Sequence, residues 1–476
     1  MDTTLVRLDA HSAQPLYQQL YAHFLAELRA GRVAPGEKLP GRRQLAQALH
    51  ISLSTVDAVY GMLTAEGYVR AVPRSGFYAE ALAGLTPPVR RAARALPAET
   101  PAPPAYRWDF GTSGIDPALF PFKTWRRLQR EALSDPALLN HGPAEGDADL
   151  RAAIAQYLHE FRGALCAPEQ IVVGAGIEYL LGLLAQLFAG SVFALEDPGY
   201  PRARRVLRNC GTPVVPAAVD AHGLSAQALA ASGAAVAYVT PSHQFPTGAT
   251  MPAWRRSELL QWAAQSSGRW LIEDDYDSEF RFDGRPLPCL QGMDTAGRVL
   301  YISTFSRSIA PAIRIAYMVL PAALVPLFRE RFGSYSSTVS RFEQQTLYRF
   351  IAGGHYARHL ARMRTAYRAR RDALCGALQE AFGARGLLLE GTHTGLHLVA
   401  RLPFACSDAQ LAALAAAQGV HVNALSAYRM APAPADGREL DTAPSLPGVV
   451  LGYAGIAPPD AADGVQALAR AWRAEK

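Results

Sequence analysis

Five short apolar stretches in the C-terminal three quarters of the chain each end in small or polar residues. The stretches are residues 171–173, 192–195, 236–239, 270–272 and 299–302, and the motifs after them read GAG, EDPGY, TPSH, EDDY and ST. Apolar stretches that alternate with helical segments are typical of a mainly parallel sheet. Ligands of such sheets bind beyond the carboxyl ends of the strands. The sequence therefore predicts an α/β domain with one cleft that all five motifs line.

The last of these motifs continues into the densest group of anion-binding side chains. Residues 301–321 read YISTFSRSIAPAIRIAYMVLP, and a second strand is predicted over residues 313–320. Thr304 and Ser306 supply hydroxyl groups, and Arg314 supplies a guanidinium group, so these three side chains are predicted to hold a phosphate. Gly176 and Ile177 are predicted to add backbone N–H groups at the start of a helix, where anions bind readily.

The first 80 residues have the pattern of a small helical domain. Apolar residues recur at helical spacing over residues 15–30, a second helix is predicted from residues 39–43, and Ser52 is a plausible N-cap of a third helix that ends near residue 65. Residues 68–70 and 76–78 then read as the strands of a hairpin. Two short helices joined by a tight turn and followed by a hairpin indicate a winged helix-turn-helix.

This N-terminal segment resembles the winged helix of GntR-type regulators over nearly its whole length, although Leu53 and Gly41 stand where that family usually has arginine and serine. The resemblance implies that the helix from Ser52 enters the major groove of DNA. It implies DNA contacts by residues of two kinds: arginines at phosphates (Arg42, Arg43, Arg70, Arg74) and hydroxyl residues near bases (Ser52, Ser54, Thr55). A helical protein-binding domain is the alternative interpretation.

The remaining motifs, EDPGY, TPSHQFPTG, EDDYDSEF, TFS-x-S-x-AP and GLHL, resemble the MocR/GabR transcriptional regulators of the GntR superfamily. The resemblance implies a multidomain chain: a mostly α winged helix-turn-helix domain over residues 1–80, an Ala- and Pro-rich linker over residues 81–107, and an α/β fold-type-I aminotransferase-like effector domain over residues 108–476. It also implies a homodimer, and residues 174–181 look most like regulators of vitamin B6 synthesis.

In that family the cleft holds pyridoxal 5'-phosphate, and the resemblance implies roles for several residues here. Asp274 would pair with the pyridine nitrogen, Tyr200 would stack on the ring, and Tyr276 would hydrogen-bond the phenolic oxygen. Arg202 lies where the family can place an arginine for a ligand carboxylate; the alternative is an exposed basic helix face. No metal site is predicted.

Arg307 stands where the family has the lysine that forms the Schiff base with pyridoxal phosphate. Such a bond requires an unprotonated amine, whereas a guanidinium group stays protonated above about pH 12. The chain has three lysines, Lys38, Lys123 and Lys476, and none is close to Arg307 in sequence. We therefore predict that the domain has no catalytic residue and no aminotransferase activity.

Three outcomes of this replacement are open. Pyridoxal phosphate binds without a covalent bond, the cleft binds a different small anionic metabolite, or the cleft is empty with Arg307 paired to Asp274. The predicted function is a DNA-binding transcriptional regulator that senses a small ligand, linked to vitamin B6 or amino-acid metabolism. The alternatives are an active pyridoxal phosphate-dependent aminotransferase fused to a winged helix and a DNA-binding scaffold without a ligand.

Composition and charge agree with these predictions. The net charge of +6 allows an anionic partner such as double-stranded operator DNA. No apolar stretch is long enough to span a membrane, and the first 12 residues lack the pattern of a signal peptide. The five cysteines have no C-x-x-C spacing and are predicted to be free thiols, so a cytoplasmic location is expected.

Overall fold

The structure is a computed structural model that describes residues 6–9, 12–81, 106–283, 288–430 and 446–473. The chain divides into two compact units, residues 1–103 and 104–476. The linker predicted for residues 81–107 falls almost entirely outside the described residues. The three domain boundaries therefore stay predictions.

The N-terminal unit has the predicted order of three helices and a hairpin. Its elements are α1 (Leu16–Arg29), α2 (Arg42–Ala48), α3 (Leu53–Ala65), β1 (Val69–Val72) and β2 (Gly76–Ala79). Strands β1 and β2 pair in antiparallel register. The winged helix-turn-helix predicted from the sequence is confirmed.

Helices α1 and α3 pack together because each carries apolar residues at helical spacing. Leu20 and Phe24 of α1 are fully buried, as are Tyr60 and Leu63 of α3. The Ser52 hydroxyl accepts a hydrogen bond of 3.1 Å from the backbone N–H of Thr55, so Ser52 is the N-cap of α3 as predicted. This cap fixes where the second helix of the helix-turn-helix begins.

The C-terminal unit alternates strands with helices. Its strands are β3 (Trp108–Asp109), β4 (Ile171–Gly174), β5 (Phe193–Asp197), β6 (Val214–Asp220), β7 (Gly223–Leu224), β8 (Val236–Val239), β9 (Trp270–Asp274), β10 (Val299–Thr304), β11 (Ala316–Val319), β12 (Leu388–Glu390), β13 (His397–Arg401), β14 (Val420–His421), β15 (Asn423–Ala424) and β16 (Gly448–Gly452). Its helices are α4 (Phe122–Leu133), α5 (Ala148–Arg162), α6 (Ile177–Leu187), α7 (Pro201–Asn209), α8 (Ala226–Ala231), α9 (Ala253–Ala264), α10 (Leu290–Met293), α11 (Val325–Phe332), α12 (Arg341–Ala352), α13 (His355–Phe382), α14 (Asp408–Ala417) and α15 (Pro458–Ala471).

Eight strands form the main sheet, in the order β4-β11-β10-β9-β8-β5-β6-β7. Neighbours from β10 to β6 are parallel, whereas β11 is antiparallel to both β10 and β4. Strands β4, β5, β8, β9 and β10 consequently run in one direction and end at one edge. The prediction that five motifs meet at one edge of a mainly parallel sheet is confirmed.

Both faces of this sheet are buried, which explains why its strands are continuously apolar. Successive residues of a strand point to opposite faces. Val172 and Leu300 accordingly belong to a core with helix α6, while Val173 and Tyr301 belong to a second core with α5. A smaller sheet, β12-β13-β16-β15, packs with α13 and α15 around a third core.

The strand predicted over residues 313–320 is shorter than expected. Residues Pro311–Ile313 form a 3-10 turn, and Arg314 follows in the left-handed region with φ of 50°. A residue in that conformation cannot continue a strand, so β11 begins only at Ala316. The correction matters for the cleft because the turn directs Arg314 toward helix α6 and not along the sheet.

Among the described residues, no helix combines the length and the apolar character that crossing a membrane would need.

Candidate functional site

A cavity of about 190 Å³ lies beyond the carboxyl edge of the main sheet. Nine of the residues singled out from the sequence line it: Ile177, Tyr200, Arg202, Asp274, Tyr276, Thr304, Ser306, Arg307 and Arg314. Gly176 lies just before the first of them, as the N-cap of α6. The sheet thus brings together residues that are up to 138 positions apart in the chain, between Gly176 and Arg314. Their roles as ligand contacts stay predictions.

One end of the cavity has the groups that a phosphate requires. The Thr304 hydroxyl donates to the Ser306 hydroxyl (2.9 Å), and the Ser306 backbone N–H donates to Thr304 Oγ1 (3.1 Å), so both hydroxyls are held at the end of β10. The guanidinium group of Arg314 lies over the first turn of α6. Backbone N–H groups at a helix start are unpaired within the helix and attract anions.

Gly176 makes this arrangement possible. Its φ is +97°, and a Cβ at this position would lie 2.2 Å from Arg314 Nη2. Any larger residue would therefore strain the backbone and displace the guanidinium group. The glycine contributes by leaving room above the helix start.

Asp274 lies at the end of β9 and is buried beneath the cavity. The Tyr238 hydroxyl donates to Asp274 Oδ2, whereas Oδ1 is buried and has no hydrogen-bond partner among the described residues. Burial raises the pKa of Asp274 to about 8. A buried oxygen without a partner is costly, and a protonated ring nitrogen would supply both the missing hydrogen bond and the missing charge. These residues fit a pyridinium group.

Aromatic rings form the walls of the cavity. Tyr200 meets Phe245 edge to face at 5.6 Å between ring centroids. The Tyr276 hydroxyl donates to the carbonyl oxygen of His243 at 3.0 Å. The hydrogen bond predicted from Tyr276 to a ligand would therefore compete with an existing bond within the protein.

Arg307 lines the same cavity, and no hydrogen bond or ion pair of its side chain is found among the described residues. In particular, Arg307 and Asp274 do not form an ion pair, which removes the structural basis for the predicted alternative in which they neutralise each other. Among the described lining residues there is no lysine. The guanidinium group is thus available to a ligand in the cavity.

Five further residues line the cavity without having been assigned a role from the sequence: Ser113, Glu178, Thr240, Phe245 and Pro311. Thr240 and Phe245 belong to the TPSHQFPTG motif, so the sequence contained a signal for them. Glu178 follows the glycine at the helix start, but its orientation depends on which arginines surround it. Pro311 is the last residue of the TFS-x-S-x-AP motif, whereas no sequence signal indicates Ser113.

The buried acids predict how stability depends on pH. Burial raises the pKa of Asp274 to about 8 and those of Glu196 and Glu279 to about 7. Each acid keeps its proton in the folded state at a pH where the unfolded chain has lost it, so stability falls as pH rises toward the folded pKa. The ligand-free protein should lose stability from about pH 4 until the loss levels off near pH 8, and the part above about pH 6.5 is free of ordinary histidine titration.

Asp274→Asn should make this loss smaller by about 1–2 kcal/mol, because one of the titrating groups is removed. The measurement is urea unfolding of both proteins across that pH range. Asp149→Asn is the matched control, since Asp149 is exposed in the first turn of α5 and does not line the cavity. Parallel curves for wild type and Asp274→Asn would contradict the prediction.

The candidate DNA-binding residues lie on α2, on α3 and its N-cap, and on the hairpin. Arg43 on α2 and Arg74 at the hairpin turn are exposed, and neither forms an ion pair within the described residues. Arg42 instead pairs with Asp57 at 2.9 Å, and Arg70 pairs with Glu80 at 2.8 Å. The four arginines are therefore not equally available to phosphates.

The hydroxyl residues predicted near bases are grouped at the start of α3. The Ser52 hydroxyl lies 2.8 Å from that of Ser54 and 2.7 Å from that of Thr55. Ser52 already caps the helix, which leaves Ser54 as the most exposed hydroxyl with no bond to the backbone. Leu53 beside it is 42% exposed, so this helix start presents an apolar side chain as well.

Comparisons with known proteins match both units. A family profile described as "Bacterial regulatory proteins, gntR family" matches residues 16–78, and one described as "Aminotransferase class I and II" matches residues 113–438. In the solved structure of a kynurenine aminotransferase from Pyrococcus horikoshii, 91% of the chain superposes on 78% of this chain with a TM-score of 0.67 and 23% identity. That likeness concerns the fold of the C-terminal unit.

Several relatives match this chain over most of its length. The chain is 37% identical to the uncharacterized HTH-type transcriptional regulator YdeL of Bacillus subtilis, over 96% of this chain and 97% of the relative. It is 35% identical to the probable rhizopine catabolism regulatory protein MocR of Rhizobium meliloti, over 98% and 96%. It is 32% identical to the pyridoxine biosynthesis transcriptional regulator PdxR of Corynebacterium glutamicum, over 89% and 91%.

Proposed function

The chain belongs to the MocR-type transcriptional regulators, in which a GntR-family helix-turn-helix domain precedes an aminotransferase class I and II domain, and we propose that it binds pyridoxal phosphate without a covalent bond and responds to it on DNA. The observation that carries the proposal is the unpartnered, buried Oδ1 of Asp274, which lies in the same cavity as an unpaired Arg307. Pyridoxal phosphate supplies aminotransferases with an electron sink. Here the ligand would serve as a signal.

Different residues of the cavity would contact different parts of the ligand. The start of α6, Arg314 and Ser306 would hold the phosphate, and Asp274 would hold the ring nitrogen. Tyr200 would lie against the ring. Arg307, at the position of the family's lysine, would donate hydrogen bonds to the aldehyde oxygen without reacting with it, because guanidinium nitrogens are protonated and delocalised. A relative named for pyridoxine biosynthesis supports a vitamin B6 compound as the ligand.

Regulation would follow from different affinities of the ligand for two arrangements of the chain. Regulators with a helix-turn-helix commonly bind two half-sites as dimers, so the spacing of two winged helices decides operator affinity. A ligand that binds one arrangement more tightly shifts the population toward it. We propose that this chain acts as a cytoplasmic homodimer of that kind.

The proposal is tested by calorimetry with pyridoxal phosphate, followed by operator binding. The operator is first selected from random duplexes with the purified full-length chain, and its affinity is then measured by fluorescence anisotropy with and without pyridoxal phosphate. Saturable binding, an altered operator affinity and an unchanged protein mass after borohydride reduction are expected. Turnover of an amino acid with a keto acid would instead support the aminotransferase alternative, and absence of any binding would contradict the proposal.

Arg307 further predicts which form of the vitamin binds. Pyridoxamine phosphate carries an ammonium group where pyridoxal phosphate has its aldehyde, and a guanidinium group nearby repels that charge. We expect pyridoxamine phosphate to bind about tenfold more weakly, a difference of about 1.4 kcal/mol. Calorimetry with both compounds measures this ratio. Arg307→Gln keeps a hydrogen-bond donor but removes the charge, so the two affinities should become similar; an unchanged ratio in that variant would contradict the role of Arg307.

A further inference from the structure

Glu178 occupies the end of the cavity where a phosphate would be expected. It is the second residue of α6, and its Oε2 lies 3.0 Å from Arg314 Nη2. Its Oε1 lies 3.4 Å from Arg202 Nη1. One carboxylate thereby connects the two arginines that the sequence predicts as contacts of a ligand's phosphate and carboxylate.

The Glu178 carboxylate also interacts with the start of helix α6. Its backbone N–H is hydrogen-bonded to its own side chain, and this bond together with Arg314 and Arg202 outweighs the effect of burial and lowers the pKa of Glu178. The carboxylate is therefore ionised at neutral pH. A negative group at the first turn of a helix is stabilised by the helix dipole and by the free N–H groups.

The backbone beneath this ion pair has the shape that the pair requires. A Cβ on Gly176 would lie 2.2 Å from Arg314 Nη2 and 3.1 Å from Glu178 Oε2. Both charged groups thus occupy the space that the glycine leaves open. The Glu178 carboxylate therefore occupies the position in which an external anion would bind.

We propose that Glu178 is an internal anion. Its carboxylate occupies the phosphate-binding position of the ligand-free protein, and a ligand phosphate must displace it. This inference deepens the proposed function and rests on it. A phosphate dianion has more charge and more acceptor oxygens than a carboxylate, so it can compete with Glu178 for Arg314 and the helix start. A ligand whose only anionic group at this end is a carboxylate cannot compete with Glu178 in this way. Glu178 therefore favours phosphorylated ligands over carboxylate ligands.

A purely structural ion pair is the simplest alternative. The side chain of Glu178 is 32% exposed, that of Arg314 is 49% exposed and that of Arg202 is 62% exposed. Ion pairs at such exposure contribute little to stability, typically below about 1 kcal/mol. Replacing the carboxylate should therefore leave the fold intact, which makes the two roles distinguishable.

The test is Glu178→Gln, which keeps the size of the side chain and removes its charge. Pyridoxal phosphate should bind this variant about tenfold more tightly than wild type, and inorganic phosphate should also bind more tightly, because no internal anion has to leave. Pyridoxal has no phosphate and need not displace Glu178, so its affinity should be unchanged and the preference for pyridoxal phosphate over pyridoxal should increase about tenfold. The control is Glu131→Gln, whose carboxylate pairs with Arg127 at 2.7 Å on the exposed face of α4 and should leave all three affinities unchanged.

The outcomes separate this inference from the proposed function. Equal affinities of wild type and Glu178→Gln for pyridoxal phosphate and for inorganic phosphate would overturn the role of Glu178 while the proposed function stands. Weaker binding to the variant would also overturn it, since Glu178 would then be holding the arginines in place for the ligand. If pyridoxal phosphate binds neither protein but phosphate binds the variant more tightly, the proposed function fails and the internal anion is supported. Glu178→Ala repeats the comparison without a polar side chain.

Discussion

Arg307→Lys should produce a protein that attaches pyridoxal phosphate covalently, whereas the proposed function expects no covalent bond in wild type. A lysine amine in this cavity would lie near the positive charge of Arg314, which favours the unprotonated and nucleophilic form. The other groups proposed to hold the coenzyme line the same cavity and need no change: Asp274 for the ring nitrogen, and Thr304 and Ser306 at the phosphate end. The measurement is intact protein mass after incubation with pyridoxal phosphate and reduction with borohydride. One added coenzyme per chain is expected for the variant and none for wild type.

Peptide mapping of the reduced variant should place the added mass at position 307. Arg307→Gln is the control, because it opens the same space without adding an amine and should remain unlabelled. Labelling of wild type within the cavity would show that a covalent bond forms despite the arginine, which contradicts the proposed non-covalent mode. An unlabelled Arg307→Lys variant that still binds the coenzyme by calorimetry would show that position 307 does not face the aldehyde.

The sequence was sufficient for the strands of the cleft because these strands are buried on both faces. Residues 236–239 are apolar throughout and become β8 without change, and the polar residues after each strand mark where it ends. Residues 313–320 are apolar except for Arg314 and were predicted as one strand, yet the 3-10 turn at Pro311–Ile313 and the left-handed Arg314 delay β11 to Ala316. Local backbone geometry of this kind depends on contacts between distant segments, here between Arg314 and helix α6.

Side-chain partners within the cavity were less predictable than the residues themselves. Asp274 and Arg307 line one cavity, but they do not form an ion pair. The Tyr238 hydroxyl, from a neighbouring strand, bonds to Asp274 instead. Glu178 acquires its two arginine partners from α7 and from the turn before β11. Which side chains form pairs depends on distances across the sheet, and composition and periodicity carry no information about those distances.

The winged helix-turn-helix was predictable for a different reason. Helical spacing of apolar residues and the cap at Ser52 are local signals, and both are confirmed. The surface of this unit was less predictable, since Asp57 and Glu80 neutralise two of the four predicted phosphate-binding arginines. An acidic partner lowers the positive potential that an arginine offers to DNA. The structure therefore ranks Arg43 and Arg74 above Arg42 and Arg70 as candidates for phosphate contacts.

Replacing both Arg43 and Arg74 with alanine should abolish most of the operator affinity of this chain. Each phosphate contact releases condensed counterions, and its loss weakens binding about five- to tenfold near physiological salt, largely regardless of sequence. The double variant should lose about 25- to 100-fold in affinity if the two contacts act independently. The slope of the logarithm of affinity against the logarithm of salt concentration should also decrease in magnitude by about 2. Fluorescence anisotropy over a salt series measures both quantities.

The charge-matched control is Arg32→Ala, because Arg32 is exposed and pairs with Glu27 at 2.7 Å. Arg32 is close in sequence to Gly36. The backbone N–H of Gly36 donates to the carbonyl oxygen of Ala79, which lies at the opposite end of the hairpin from Arg74. If net charge alone drew the chain to DNA, Arg32→Ala would weaken binding as much as either single variant. A double variant with unchanged salt dependence would show that these arginines do not contact phosphates. An affinity loss confined to some operator sequences would instead assign them to base recognition, because phosphate contacts carry no sequence information.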